Sequence, residues 1–335
     1  MEIIAGAAVI VGLILGAIAL ATKGRDLAAW LKTRSDAPPL AGATAEQQEE
    51  TNQLLREIAD GLSLPGVAQP ETEELAAEAT ADTEEKLREA VAFVHEGRYK
   101  DAIEHVRSAY DRELPPRARA QLYVIEGNAY LLLSEHGAAE AHYRQAIQAA
   151  LESHDRAAEA AALGNLGLVY ARRGDREGAE EYHRKALVID EEIGNRLGQA
   201  NQLGNLGLVY TRRGDLDGAE EYHRRALEID EEIGYRLGEA QDLENLGVVL
   251  TKRGDLEGAE EYHRKALEID EEIGYRLGEA QDLGNLGLVY ARRGDLANAE
   301  EHYQKALAIF EEIGAAPDAE IVRVNLAELK EKQSD

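Results

Sequence analysis

Cysteine is absent from the 335 residues, and there are only 2 Phe, 1 Trp and 7 Pro. Without cysteine there can be no disulfide, no thiolate metal site and no cysteine nucleophile, and the redox compartment stays open. Few large aromatics beside many Ala, Leu, Glu and Arg favour helices over a β-sandwich or barrel. Positive charge is scarce too. The 37 Lys and Arg face 65 Asp and Glu, a net of −28, which argues against generic binding to nucleic-acid phosphates. Catalytic signatures are also missing. There is no HExxH motif and no Cys/His cluster. Gly164-Asn165-Leu166-Gly167 lies inside a helical pattern, without the strand-to-helix turn of a phosphate loop. Runs such as Asp190-Glu191-Glu192 read as solvated helix surface, not as a positioned acid–base pair. We therefore expect no enzyme, no cofactor and no metal.

One long apolar run is present. Ile3–Thr22 holds 20 residues without a charge, a helix of about 30 Å, enough to cross a bilayer core. Only Met1 and Glu2 precede it, so the basic leader of a cleaved signal is missing, while Lys23, Arg25, Lys32 and Arg34 follow. The positive-inside rule predicts a single-pass anchor, N-terminus outside and the remainder cytoplasmic. Ala8, Gly12 and Gly16 share one helix face and match the small-xxx-small pattern of close transmembrane packing, a route to a homodimer. Residues 1–35 are read as anchor and juxtamembrane segment. Residues 36–81 are read as an acidic flexible linker with Pro38, Pro39, Pro65 and Pro70. Within it, Thr51, Leu55, Ile58 and Leu62 give 45–62 the spacing of a short amphipathic helix.

Internal repetition dominates the rest. Units of 40 residues start at Arg156, Arg196, Arg236 and Arg276, and Arg196–Tyr235 and Arg236–Tyr275 are identical at 31 of 40 positions. In one unit, Leu203, Leu206, Gly207 and Tyr210 lie at i, i+3, i+4 and i+7, one face of a first helix. Gly214 is a left-handed stop and Asp215 an N-cap for a second helix, whose buried side runs through Ala219, His223, Ala226, Leu227 and Ile229, with Gly234 as the next stop. A lone hairpin cannot bury both faces, so neighbours must stack. His183, His223 and His263 recur with this period. Stacked hairpins sit about 10 Å apart, too far to share a metal needing nitrogens at about 2 Å. These histidines are read as packing residues, with Tyr143 and Tyr303 in the equivalent place.

The pattern Leu-Gly-x-x-Tyr, Gly-Asp, Ala, Ala-Leu resembles the tetratricopeptide repeat. The 40-residue period resembles its extended variant in kinesin light chains and spindle-orientation adaptors. The resemblance implies an all-α, right-handed α-solenoid of about six stacked hairpins over 82–315, closed by a capping helix at 316–335; the apolar run places a single transmembrane helix before it. It further implies a concave groove lined by first helices. On the first helix, the face away from the core runs through Asn201, Asn205, Leu208 and Arg212, with Gln241 and Gln281 equivalent to Asn201. Two ladders follow: Asn165, Asn205, Asn245 and Asn285, continued by Asn325, and Arg172, Arg212, Lys252 and Arg292. Amides suit the backbone of an extended peptide, and a row of cations suits its carboxylates. Against this, each Asn could bond a neighbouring repeat and each cation a local acid, since duplication copies residues regardless of use. Arg173, Arg213, Arg253 and Arg293 are expected to cap or pair near the helix end.

The expected function is a membrane-anchored scaffold or adaptor holding an extended partner segment in the groove, with a protein or peptide as partner, acidic side chains suiting the basic ladder, and no nucleic acid. The alternatives are a self-associating membrane coat and an envelope-side assembly factor.

Overall fold

The computed structural model describes residue 86 and residues 89–94, 97–109 and 114–334. The anchor at 1–35 with Ala8, Gly12 and Gly16, the linker at 36–81 and the amphipathic stretch at 45–62 lie outside the described residues. No helix among the described residues is long and apolar enough to cross a membrane. Helices alone build the described chain, with no strand. They are α1 (Tyr99–Ala109), α2 (Pro116–Leu132), α3 (His136–Glu152), α4 (Arg156–Arg172), α5 (Arg176–Glu192), α6 (Arg196–Arg213), α7 (Leu216–Ile233), α8 (Arg236–Arg253), α9 (Leu256–Ile273), α10 (Arg276–Arg293), α11 (Leu296–Glu312) and α12 (Ala316–Ser334). Contacts divide them into two compact units, one ending at Gly198 and the other beginning at Gln199.

Both helix stops behave as the sequence indicates. Gly214 and Gly234 take φ of +84° and +69°, left-handed values that cost a residue with a Cβ. Tyr235 after Gly234 makes no side-chain cap, whereas after Gly214 the next residue caps the following helix, Gly218 N–H donating to Asp215 Oδ1 at 3.1 Å. The same cap recurs at Asp175, Asp255 and Asp295. In the first unit Ser134 (φ +61°) and His154 (φ +55°) occupy the positions that glycine takes in later repeats.

In the first unit, helical residues 89–94 pack with α1 and α2 through Val94, Ala102, Ile103 and Ala129. Hairpins α2/α3 and α4/α5 follow, joined by Ala120, Ala149, Ala150 and Ala158. In the second unit, α8 and α9 meet through Ala240, Leu243, Ala266 and Ile269. Ala280, Leu286, Ala299 and Tyr303 join α10 to α11, and Ala319, Val322, Leu326 and Leu329 lay α12 against that core as its cap. The histidines are core residues: His183, His223 and His263 are at most 1% exposed. Each ring lies on an inner-helix glycine. A Cβ at Gly207 would come within 2.6 Å of His223 Cε1, and one at Gly247 within 2.6 Å of His263 Cε1. The small residue lets a large ring fill the gap between two helices.

Candidate functional site

In the second unit, the first helices α8 and α10 are buried over most of their surface. From Leu243 to Thr251 on α8, only Glu244, Asn245 and Val248 escape full burial, and Lys252 follows, exposed. On α10, residues 280–290 leave only Gly284, Asn285 and Leu288 accessible, and Arg292 follows. On α6, Gly204, Asn205, Leu208 and Arg212 hold the same register. The spacing of one, three and four residues is a single stripe on a helix. The second unit therefore presents three parallel stripes, each with an amide, an aliphatic side chain and a cation.

The amides also bridge neighbouring first helices. Asn285 Nδ2 donates to Glu244 Oε1 at 3.1 Å. In the first unit, Asn165 Nδ2 lies 3.4 Å from Asn128 Oδ1, which also accepts from Tyr143 Oη at 2.6 Å. The basic ladder has a local role as well. Arg172 Nη1 donates to the Leu131 carbonyl at 3.2 Å, and Arg292 Nη1 to the Thr251 carbonyl at 2.8 Å. Each guanidinium thus satisfies a carbonyl at the end of the preceding first helix, where a cation is favoured. For Arg172 and Arg292 a backbone carbonyl thus stands beside the local acids weighed as the alternative to a ligand. The neighbouring cations do pair with acids: Arg173 with Glu140, Arg253 with Glu220 and Asp217, and Arg293 with Glu260. Asn201 is half-buried, whereas Gln241 and Gln281 are buried, at 8% and 9% exposure. Gln241 Nε2 and both polar atoms of Gln281 have no hydrogen-bond partner.

Beneath the stripes lies a layer of buried carboxyls that repeat-by-repeat reading missed. His223 Nδ1 sits 3.2 Å from Asp242 Oδ1, and His263 Nδ1 3.3 Å from Asp282 Oδ1, all four side chains buried. Burial pushes both histidines down to about 3 and holds both aspartic acids well above the carboxylate range. In each pair imidazole and carboxyl face one another across one hydrogen bond, and burial disfavours the charged form of both. Burial, with Asp242 and Glu239 nearby, pushes Asp230 up to about 8. Burial, with Glu244 and Glu279 nearby, does the same to Asp270. In the first unit the corresponding Asp190 accepts from Asn195 Nδ2 at 2.8 Å, whereas Tyr235 and Tyr275 stand at the Asn195 position and Asp230 Oδ1 and Asp270 Oδ1 lack a partner. Glu244, on the stripe itself, is raised to about 7 by burial, against the opposing Asn285 bond. A signal for these residues did exist. Glu244 stands where the close repeats have Gly164, Gly204 and Gly284, and Asp242 and Asp282 where they have Ala162 and Gln202. No group of three or more metal-ligating side chains suited to a metal ion occurs among the described residues.

Relatives agree with this architecture. No curated protein matches the sequence. Among solved structures, the signal transduction ATPase with numerous domains PH0952 from Pyrococcus horikoshii, which has a tetratricopeptide repeat sensor, is similar. It is 17% identical with a TM-score of 0.65, over 93% of this chain and 50% of that one. BtubC (BKLC) from P. vanneervenii is 23% identical with a TM-score of 0.56, over 70% of this chain and 93% of its own. A Rap protein complexed with Competence and Sporulation Factor is 13% identical with a TM-score of 0.56, over 95% and 99%. At these identities the likeness is one of fold. A family model described as tetratricopeptide repeat matches residues 118–192, 157–232, 198–272, 239–312 and 278–335, a continuous span of well over half the sequence. The chain belongs to the tetratricopeptide repeat family, as an all-α helical repeat solenoid suited to protein–protein interaction.

Proposed function

We propose that the chain is a membrane-anchored adaptor whose first-helix stripes hold an extended segment of a partner protein. The observation that carries this reading is the triple stripe of the second unit, where otherwise buried helices keep an amide, an aliphatic contact and a cation accessible at one register. Asn205, Asn245 and Asn285 offer donor and acceptor to a partner backbone. Leu208, Val248 and Leu288 offer apolar contact, and Arg212, Lys252 and Arg292 stand at the rim. Asn165 and Arg172 hold the same register in the first unit. A protein of the same fold is seen in complex with Competence and Sporulation Factor, which supports ligand capture on such a scaffold. The 40-residue period supports kinship with the extended variant in kinesin light chains.

The uncharged run Ile3–Thr22, with basic residues only after it, supports a single-pass anchor with the repeats in the cytoplasm. The acidic segment behind it acts as a tether that raises the local concentration of the repeats near a bilayer. Ala8, Gly12 and Gly16 provide a face for pairing of two anchors. The test replaces Asn205 and Asn245 with Ala and Arg212 with Glu in the full chain and compares co-purifying proteins. We expect loss of specific partners at unchanged helical content. An unchanged partner set contradicts the stripe as the binding surface.

A further inference from the structure

Glu244 is the acidic residue that duplication cannot account for. The same position is Gly164, Gly204 and Gly284 in the other close repeats. It lies on the accessible stripe of α8, half-buried, and its hydrogen-bond partner is Asn285. No Lys or Arg among the described residues pairs with it. The groups that face it from the neighbouring elements, Asp270 of α9, Tyr275 of the turn and Asp282 of α10, are acids or a phenol. Lys252 is eight residues further on, about 12 Å along the helix axis. The register thus has a carboxyl over an acidic floor and no resident cation.

Two further observations point to a missing ligand. Gln281, one helical turn before Asn285 on the same face, is 9% exposed and both of its polar atoms lack a partner. Such a buried orphan calls for an explanation. The surface of α10 is also open at the residue before Asn285. A Cβ at Gly284 would meet nothing within 4 Å, whereas one at Gly287 on the same helix would run into the Tyr303 ring.

We infer that the second unit's groove takes a basic side chain, Lys or Arg, from an extended partner segment, with Glu244 as its counter-ion and Gln281 and Asn285 as flanking amides. This rests on the stripe being the binding surface, and it reverses the partner charge that the basic ladder alone implies. An ammonium or guanidinium at Glu244 supplies the opposite charge that the buried carboxyl lacks. Unliganded, burial favours the protonated acid. A bound cation favours the carboxylate, so binding expels a proton and tightens as pH rises through about 7.

The test selects peptides from a random dodecapeptide library on the full chain in detergent, then measures their affinity for four forms: wild type, Glu244→Gln, Asn245→Ala and the exposed-surface control Glu271→Gln. Glu244→Gln keeps an acceptor for Asn285 and removes only the charge. We expect Lys or Arg enriched at one position and binding at least about tenfold weaker to Glu244→Gln. Glu271→Gln should bind as wild type, and wild-type affinity should rise between pH 6 and 8. The thermal midpoint of Glu244→Gln should not fall, since a desolvated carboxyl has been neutralised. Enrichment of Asp or Glu overturns the inference, and so does equal binding to Glu244→Gln. A drop as large for Glu271→Gln identifies general attraction to an acidic surface and overturns it too. If Asn245→Ala weakens binding and Glu244→Gln does not, the groove stands and its charge preference falls. If neither matters, or nothing is enriched, both readings fall.

Discussion

Ser134 and His154 show at single residues what the repeat asks of its turns. Both adopt positive φ where every close repeat has glycine. Relieving a Cβ in that region is worth about 1 kcal/mol, less the extra chain entropy that glycine brings to the unfolded state. Ser134→Gly and His154→Gly should each raise the urea midpoint by a stabilisation of that order or somewhat less. Two unaltered midpoints would show that the turns carry no such strain. These stops and the Asp caps were legible in the sequence because one residue type suffices to make each of them: Gly for a left-handed φ, Asp for a free N–H. The buried pairs were not. His223 meets Asp242 across 19 residues and two helices, and only packing brings them together. Glu244 was hidden for a different reason. Reading by consensus averages over repeats, and its chemistry lies in the departure.

At the level of the helix, identical substitutions should have opposite effects according to what each face meets. Gly247 of α8 lies against the His263 ring, at a Cβ distance of 2.6 Å, while Gly284 of α10 faces open space. Gly247→Ala forces a buried ring to move and should destabilise by about 1–3 kcal/mol. Gly284→Ala gains helix propensity with no clash and should stabilise by about 0.5–1 kcal/mol. Chemical denaturation of the two variants reads both signs, and destabilisation by both would mean that α10 lacks the open face. The periodicity placed Asn245, Lys252, Asn285 and Arg292 on the accessible stripe, because a fixed turn angle determines a face. It could not place Arg172 and Arg292 on the carbonyls of Leu131 and Thr251. Those bonds depend on how far one hairpin advances past the next, which the repeat length does not reveal. The burial of Gln241 and Gln281 escaped for the same reason.

Over the whole molecule, the buried acids of the second unit should make stability depend on pH. Asp230 and Asp270 have folded values near 8 against 3.8 for the unfolded chain. Between those values the folded state holds more protons, so stability declines as pH rises, by about 1.4 kcal/mol per unit per group. His223 and His263, lowered from 6.5 to about 3, act oppositely, and their contribution levels off about one unit above pH 6.5. From pH 6.5 to 8 the acids outweigh what remains of it. The thermal midpoint should fall across that window, and Asp230→Asn with Asp270→Asn should flatten the fall. A midpoint independent of pH there would show that these carboxyls are already ionised in the fold. Partner capture as proposed requires a partner segment lying along the first-helix stripes. The most direct measurement is photo-crosslinking of the full chain to its co-purified partner, with benzoylphenylalanine at Val248 or Leu288 of the stripe, or at Lys265 on the second helix. We expect partner adducts from Val248 and Leu288 and none from Lys265. Adducts from Lys265 alone would contradict it.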